Sequence, residues 1–212
     1  MRKSSHALTG SLPKFALFTR KFLGKTFLPC FIFLIWFTEK ASLQPPLPLE
    51  NSVQRIEICL QVMSVSAKSC RANAAIAVPI CAAVIDYYEK VRPPFSFRQL
   101  VFLTAALIKR ESCFNPRAVS PKRAVGLMQI HYPYWKSRFP ELRISDLYDP
   151  YFNVSFALWI LDVEWRRTNS LKKTLALYGG WGNHRHRKAR AYIQKVLREV
   201  YLLEKWWKES KS

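Results

Sequence analysis

The chain has 212 residues, of which 50% are hydrophobic and 14% aromatic, so it can fill one apolar core. This length and composition exclude a disordered or collagen-like chain and a multidomain machine. The 34 Lys and Arg residues outnumber the 14 Asp and Glu residues, which gives a net charge of +20. This charge excludes an acidic buffer protein and indicates an anionic partner, such as nucleic acid, a membrane surface or a wall polymer.

Residues 1–42 have the pattern of an export signal. Residues 1–26 carry Lys and Arg but no acid, and the apolar run FLPCFIFLIWF follows over residues 27–37. The run has about half the ~20 residues that a membrane-spanning helix needs, and it contains Pro29. We expect a signal peptide or a signal anchor, with a buried core helix as the alternative. Export would place the protein in the periplasm or cell envelope, and an anchor would hold it at the inner membrane.

A Pro-rich linker is predicted over residues 43–52. The segment LQPPLPLE, residues 43–50, favours extended polyproline geometry and therefore a semi-rigid spacer. We expect it to separate the leader from one globular domain over residues 53–212.

The predicted domain contains four cysteines: Cys59, Cys70, Cys81 and Cys113. In an oxidising compartment two disulfides are expected, whereas in cytosol the same residues would be buried thiols, and the sequence leaves all three pairings open. No CxxC pair is present, and His184 and His186 lie in a basic run, HRHRKAR, that would repel a cation. We therefore expect no metal site and no cofactor.

Apolar periodicity predicts a mostly α-helical fold. Five segments have a helical pattern, residues 76–88, 97–108, 152–167, 171–177 and 188–207. Ser96 is expected to cap the second segment, Asp149-Pro150 to begin the third and Gly179-Gly180 to end the fourth. No segment alternates with period two over more than a few residues.

Glu111 is the only acidic residue between Glu89 and Glu141. It ends the apolar helix that contains LTAALIK, where burial disfavours the carboxylate and raises its pKa. A raised pKa suits a general acid that works near neutral pH. Lys109 and Arg110 would stabilise the anion if they were close, but successive helical residues point about 100° apart, so we expect burial to dominate. An exposed Glu111 paired with Arg110 is the alternative.

Short motifs follow Glu111 in a fixed order. Glu111 begins an E-S pair, Asn115 begins an N-P pair, and Ser120 lies nine residues after Glu111. Residues 124–130 are AVGLMQI, residues 149–153 fit D-P-x-x-N, and Ala176 and Tyr178 precede a Gly-rich turn. These motifs, over residues 95–195, resemble those of the lysozyme-like lytic transglycosylases, the soluble-transglycosylase family of peptidoglycan-cleaving enzymes.

The resemblance implies a lysozyme-like helical domain with a groove, and it assigns roles to several residues. Glu111 would be the catalytic acid and base, and Ser120 would orient Glu111 or a substrate carbonyl. Met128 and Gln129 would line the glycan groove, and the Tyr178 hydroxyl would lie near Glu111 and the acetamido group of the sugar. Packing in the core is the alternative for Met128 and Tyr178.

Three positions depart from the family pattern. Gly179 stands where an Asn usually follows the tyrosine, so a polar substrate contact is missing or displaced to Asn183. Arg123 stands where a Gly usually precedes Ala124. His131 follows Ile130, where the family often has an apolar or small residue that touches the sugar, and we therefore include His131 and Asn183 among the candidate substrate-binding residues.

The resemblance implies cleavage of the MurNAc–GlcNAc bond without water, with 1,6-anhydro-muramyl ends as products. The expected partners are peptidoglycan glycan strands and an envelope-spanning secretion or conjugation apparatus. One alternative is a goose-type lysozyme-like hydrolase, for which Asp146 and Asp149 are the nearby second acids. Another is a wall-binding module that Gly179 has weakened catalytically. Nucleic acid is not expected, because only the charge suggests it and no reader motif is present.

Overall fold

The computed structural model describes residues 52–212, so the predictions for the leader and for residues 43–51 of the linker lie outside the described residues. This part of the chain forms seven α-helices: α1 Ser52–Ser69, α2 Ala77–Val91, α3 Phe97–Ser112, α4 Tyr132–Arg138, α5 Pro150–Thr168, α6 Leu171–Tyr178 and α7 Arg187–Glu209. Short 3-10 turns cover Ala74–Ile76 and Ile144–Tyr148. Strands β1, Ala124–Val125, and β2, Ile130–His131, form an antiparallel pair. The predicted mostly α-helical fold is confirmed.

All five helices that the periodicity predicted are present as α2, α3, α5, α6 and α7. The predicted cap of α3 forms a capping box, in which Ser96 Oγ accepts from the Gln99 N–H at 3.3 Å and Gln99 Oε1 accepts from the Ser96 N–H at 3.0 Å. Helix α3 continues one turn beyond its predicted end at Ile108. Glu111 therefore lies in the last turn of α3, at the end of the helix as expected.

Helix α3 is the centre of the domain. Every residue from Leu100 to Ile108 is buried, because α3 packs against α1 on one side and α7 on another. Helix α2 packs on α5, and α5 packs on α6. A helix that is apolar on nearly every face is stable only when neighbours surround it, which is what its sequence predicted.

Two disulfides join the first three helices. Cys59 on α1 pairs with Cys81 on α2, and Cys70, just after α1, pairs with Cys113, which caps the C-terminus of α3. The structure thus selects one of the three pairings that the sequence left open. The second disulfide fixes the chain two residues after Glu111. Among the helices described, none combines the length and the apolar character required to cross a membrane.

Candidate active site

Glu111 projects from the last turn of α3, where the buried part of the helix ends. Its side chain is partly exposed, whereas Ile108 one turn earlier is fully buried. The carbonyl groups at a helix C-terminus carry partial negative charge, so this position disfavours a carboxylate. Cys113, in the left-handed conformation with φ 47°, ends the helix and makes the disulfide that holds this end in place.

Tyr192 of α7 is the hydrogen-bond partner of Glu111. The Tyr192 hydroxyl donates to Glu111 Oε1 at 2.5 Å, and the Tyr192 side chain is only 6% exposed. A salt bridge of 2.8 Å between Lys109 and Glu199 also joins α3 to α7. Tyr192 could not be recognised from the sequence, because it lies 81 residues from Glu111 and only the apolar face of α7 indicates that it points inward.

Burial has the largest effect on the acid. Desolvation raises the pKa of Glu111 above its ordinary value, while the Tyr192 hydrogen bond and the charge of Arg110 lower the pKa by less. The predicted direction is therefore confirmed. Lys109 does not oppose it, since its ammonium pairs with Glu199. An acid of this kind keeps its proton to higher pH than an exposed glutamate does.

Two phenols accompany Glu111, the buried Tyr192 and the partly exposed Tyr178. Burial and the negative charge of Glu111 raise the pKa of Tyr192 well above its ordinary value, and the same two causes raise the pKa of Tyr178. Both tyrosines therefore stay neutral and act as hydrogen-bond donors across the physiological range. The Tyr178 hydroxyl, at the end of α6, donates to the backbone oxygen of Met128 at 2.6 Å. The structure thus brings Glu111, Tyr178 and Tyr192 into one electrostatic environment.

Asn153 of α5 holds the loop that supplies this backbone oxygen. The fully buried Asn153 accepts a hydrogen bond from the Met128 N–H at 2.8 Å, and it donates to the carbonyl oxygens of Val125 at 3.0 Å and Leu147 at 2.8 Å. Gly126 has φ +80°, and a Cβ there would come within 2.2 Å of Asn153 Nδ2. A side chain at Gly126 is therefore excluded both by its backbone conformation and by Asn153.

The remaining residues of the β1–β2 hairpin make local hydrogen bonds. Ser120 Oγ accepts from the Ala124 N–H at 3.0 Å, which closes the turn before β1. Gln129 has φ 48° and donates through Nε2 to the backbone oxygens of Ala118 at 3.2 Å and Gly126 at 3.0 Å. Both side chains are partly exposed, so contact with a glycan stays a prediction for Ser120 and Gln129.

Met128 differs from its predicted role as a groove-lining residue. Its side chain is fully buried because Asn153 and Tyr178 hold its backbone on both sides and turn the side chain into the core. The core-packing alternative describes the side chain of Met128 in this structure. What Met128 offers the site is its carbonyl oxygen.

His131 and Asn183 are exposed residues that cap local structure. The Tyr134 N–H donates to His131 Nδ1 at 3.3 Å at the start of α4, and the Arg185 N–H donates to Asn183 Oδ1 at 2.9 Å before α7. Within residues 52–212, no hydrogen bond links either side chain to Glu111. Their predicted contacts with substrate stay predictions.

The aromatic residues near the motifs divide into two groups. Trp135 packs with Phe139, Phe156 and Trp159 and belongs to an aromatic cluster between α4 and α5. Trp181, by contrast, lies against Tyr192 with 5.0 Å between ring centroids, so it is part of the Glu111 environment. In the described part of the chain, no group of three or more His, Cys, Asp or Glu side chains is arranged to hold a metal ion.

Comparison with known proteins identifies the domain that contains this site. Residues 97–200 match the family model of the transglycosylase SLT domain, a segment that runs from the start of α3 into α7 and includes Glu111, Tyr178 and Tyr192. Neither the curated proteins nor the solved structures include a significant match to the chain. The match agrees with the mostly α-helical, lysozyme-like fold that the sequence predicted. The helical domain described above is thus similar, over residues 97–200, to the transglycosylase SLT domain family.

Proposed function

We propose that this protein is an exported peptidoglycan lytic transglycosylase. It cleaves the bond between MurNAc and GlcNAc without water and leaves 1,6-anhydro-muramyl ends, with Glu111 as acid and then as base. The observation that carries the proposal is Glu111 itself: a carboxyl group with a raised pKa, hydrogen-bonded to Tyr192, at the end of the central helix of an SLT domain.

The first step needs a protonated acid. Tyr192 binds Oε1 of Glu111, so Oε2 is the oxygen that carries the acidic proton. This proton passes to the glycosidic oxygen of the leaving GlcNAc as the bond to C1 of MurNAc breaks. The acetamido oxygen of the substrate bonds to C1 and stabilises the developing cation as an oxazolinium. Glu111 is now a carboxylate, which the neutral hydroxyl of Tyr192 stabilises.

The second step returns the proton. The Glu111 carboxylate removes the proton of the 6-hydroxyl group of MurNAc, O6 attacks C1, and the acetamido oxygen leaves. Glu111 ends the cycle protonated, so one carboxyl group serves both steps and no water molecule is consumed. Tyr178, whose pKa is raised by burial and by Glu111, stays neutral throughout and keeps the Met128 carbonyl in place.

The lone acid favours this reaction over hydrolysis. A hydrolase of the goose type needs a second acid to position water, and Asp146 and Asp149 were the candidates. Asp149 Oδ1 accepts from the Phe152 N–H at 2.9 Å and caps α5, while Asp146 Oδ2 accepts from the Arg143 N–H at 2.9 Å. Both carboxylates thus serve the ends of helical segments, which supports a mechanism that uses Glu111 alone.

The proposal includes the cellular setting. The basic leader would direct export and, if retained, anchor the enzyme at the inner membrane, with the periplasm or cell envelope as its location. The two disulfides support this setting, because such bonds persist in oxidising compartments. The positive charge would concentrate the enzyme on anionic envelope polymers, and its cuts would open the wall for an envelope-spanning secretion or conjugation apparatus.

The test is the chemistry of the products. Purified sacculi are digested with the full-length protein, and the released muropeptides are analysed by mass spectrometry. We expect anhydro-muramyl ends from the wild type and none from Glu111→Gln. Glu141→Gln, which neutralises an exposed glutamate outside the site, is the matched control and should match the wild type.

Three results would contradict the proposal. Ordinary reducing ends would identify a hydrolase, and binding to sacculi without turnover would identify a wall-binding module. Undiminished turnover by Glu111→Gln would remove Glu111 from the mechanism.

A further inference from the structure

Gly179 has no conformational need to be glycine. Its φ of −72° and ψ of 4° are accessible to any L-amino acid. Space is what excludes a side chain, since a Cβ at Gly179 would lie 2.2 Å from Cζ3 and 2.7 Å from Cε3 of the Trp181 indole. The indole thus occupies the volume that a side chain at position 179 would take.

The same indole contacts the phenol that binds the acid. The rings of Trp181 and Tyr192 are 5.0 Å apart between centroids and inclined by 50°, and the Gly179 Cβ position is also 3.2 Å from Tyr192 Cε1. The backbone holds Trp181 in this place, because its N–H donates to the Ala176 oxygen at 2.8 Å. Gly179, Trp181 and Tyr192 therefore pack as one unit.

We propose that Trp181 is a positioning residue of the active site. Its indole fits beside Tyr192 because Gly179 has no side chain, and it holds the Tyr192 hydroxyl on Glu111 Oε1. This inference rests on the proposed function and deepens it. The departure from the family pattern at Gly179 then has a reason other than loss of activity, since it makes room for the indole.

Besides Tyr192, two further groups interact electrostatically with Glu111. Arg110 acts on Glu111 from α3 and Tyr178 from α6, and both remain when Trp181 is changed. Loosening Tyr192 should therefore weaken the hydrogen bond that favours the carboxylate, and the pKa of Glu111 should rise.

The experiment measures the pKa of Glu111 in the full-length protein by NMR titration of ¹³C-labelled glutamate side chains, with Glu111→Gln to assign the signal. The variants are Trp181→Ala, Trp181→Phe and Gly179→Ala. Gly182→Ala is the matched control, because a Cβ at Gly182 would meet no atom within 4 Å.

We expect the pKa of Glu111 to rise in Trp181→Ala and Gly179→Ala, to rise least in Trp181→Phe, and to stay unchanged in Gly182→Ala. The pH at which kcat/KM on peptidoglycan falls on the alkaline side should increase in the same order of variants. At the optimal pH, kcat/KM should fall by about tenfold in Trp181→Ala, which is less than the roughly 10²–10⁴-fold rate enhancement that a complete general acid supplies.

A pKa of Glu111 in folded Trp181→Ala or Gly179→Ala equal to that in Gly182→Ala would overturn the positioning role, even if activity fell. If Trp181→Ala does not fold, the pKa of Glu111 in Gly179→Ala and Trp181→Phe tests the positioning role in the same way. Because the NMR titration does not depend on turnover, a wild type that forms no anhydro products would refute the proposed function without deciding the role of Trp181.

Discussion

Replacement of Asn153 by alanine should damage the active-site loop more than any other single truncation in α5. The side chain is fully buried and makes hydrogen bonds to the Met128 N–H and to the oxygens of Val125 and Leu147 at 2.8, 3.0 and 2.8 Å. Asn153→Ala removes all three bonds and leaves three backbone groups without their partner.

The expected loss of stability follows from those groups. Each buried donor or acceptor left unsatisfied costs about 1–3 kcal/mol, and partial relaxation or entry of water relieves some of the total. We expect a decrease in the free energy of unfolding of about 3–5 kcal/mol, a large part of the ~5–15 kcal/mol that stabilises a typical domain. Catalysis should also fall, because Tyr178 depends on the carbonyl of Met128 for its position.

The assay is urea unfolding at equilibrium, combined with turnover of peptidoglycan at a temperature where the variant stays folded. Asn115→Ala is the control, since Asn115 is exposed and its Oδ1 accepts only a local bond from the Arg117 N–H at 2.9 Å. That change should cost about 1 kcal/mol. If Asn153→Ala lost no more stability than Asn115→Ala, the structural role assigned to Asn153 would be refuted.

Three further predictions test the surroundings of Glu111. Burial raises the pKa of Glu111 in the folded state, so the stability associated with its protonated form is lost as pH rises through that pKa. Glu111→Gln should therefore have a higher Tm than the wild type at neutral pH, and the difference should vanish below about pH 4. A lower Tm of Glu111→Gln at neutral pH would contradict the burial argument. Gly126→Ala should destabilise the domain by at least about 2 kcal/mol in urea unfolding, because φ is +80° and the new Cβ meets Asn153, and an unchanged midpoint would refute this. Loss of the Cys70–Cys113 disulfide, which joins residues 43 positions apart, should lower the free energy of unfolding by about 4 kcal/mol through loop entropy. The measurement compares a variant with both Cys70→Ser and Cys113→Ser with the wild type. Equal stability would show that the bond does not constrain the unfolded chain.

Local patterns explain why much of the fold could be predicted. The apolar residues of α3 and the Ser96 cap are contiguous in sequence, so helix and cap could be inferred without any knowledge of the neighbours. The raised pKa of Glu111 followed from its place at the end of a helix that needs burial on all sides. The cap depends on residues a few positions apart, and the need for burial is written in the apolar residues of α3 itself.

Features that depend on distant contacts could not be predicted. Helix α1 escaped prediction because its buried face includes the small or polar residues Cys59, Ser66 and Ala67, which give only a weak apolar stripe. Tyr192 lies 81 residues from Glu111, and the choice among disulfide pairings depends on how α1 lies against α2 and α3. The burial of Met128 depends on Asn153 and Tyr178, which reach its backbone from two other helices.

In the mechanism that we propose, Glu111 drives attack by the substrate's own hydroxyl and not by water. The most direct measurement is digestion of sacculi by the full-length protein in water enriched in ¹⁸O, followed by mass spectrometry of the new glycan ends. We expect anhydro ends that contain no ¹⁸O, and no such ends in the Glu111→Gln digest. Reducing ends that carry ¹⁸O at the anomeric carbon would contradict it.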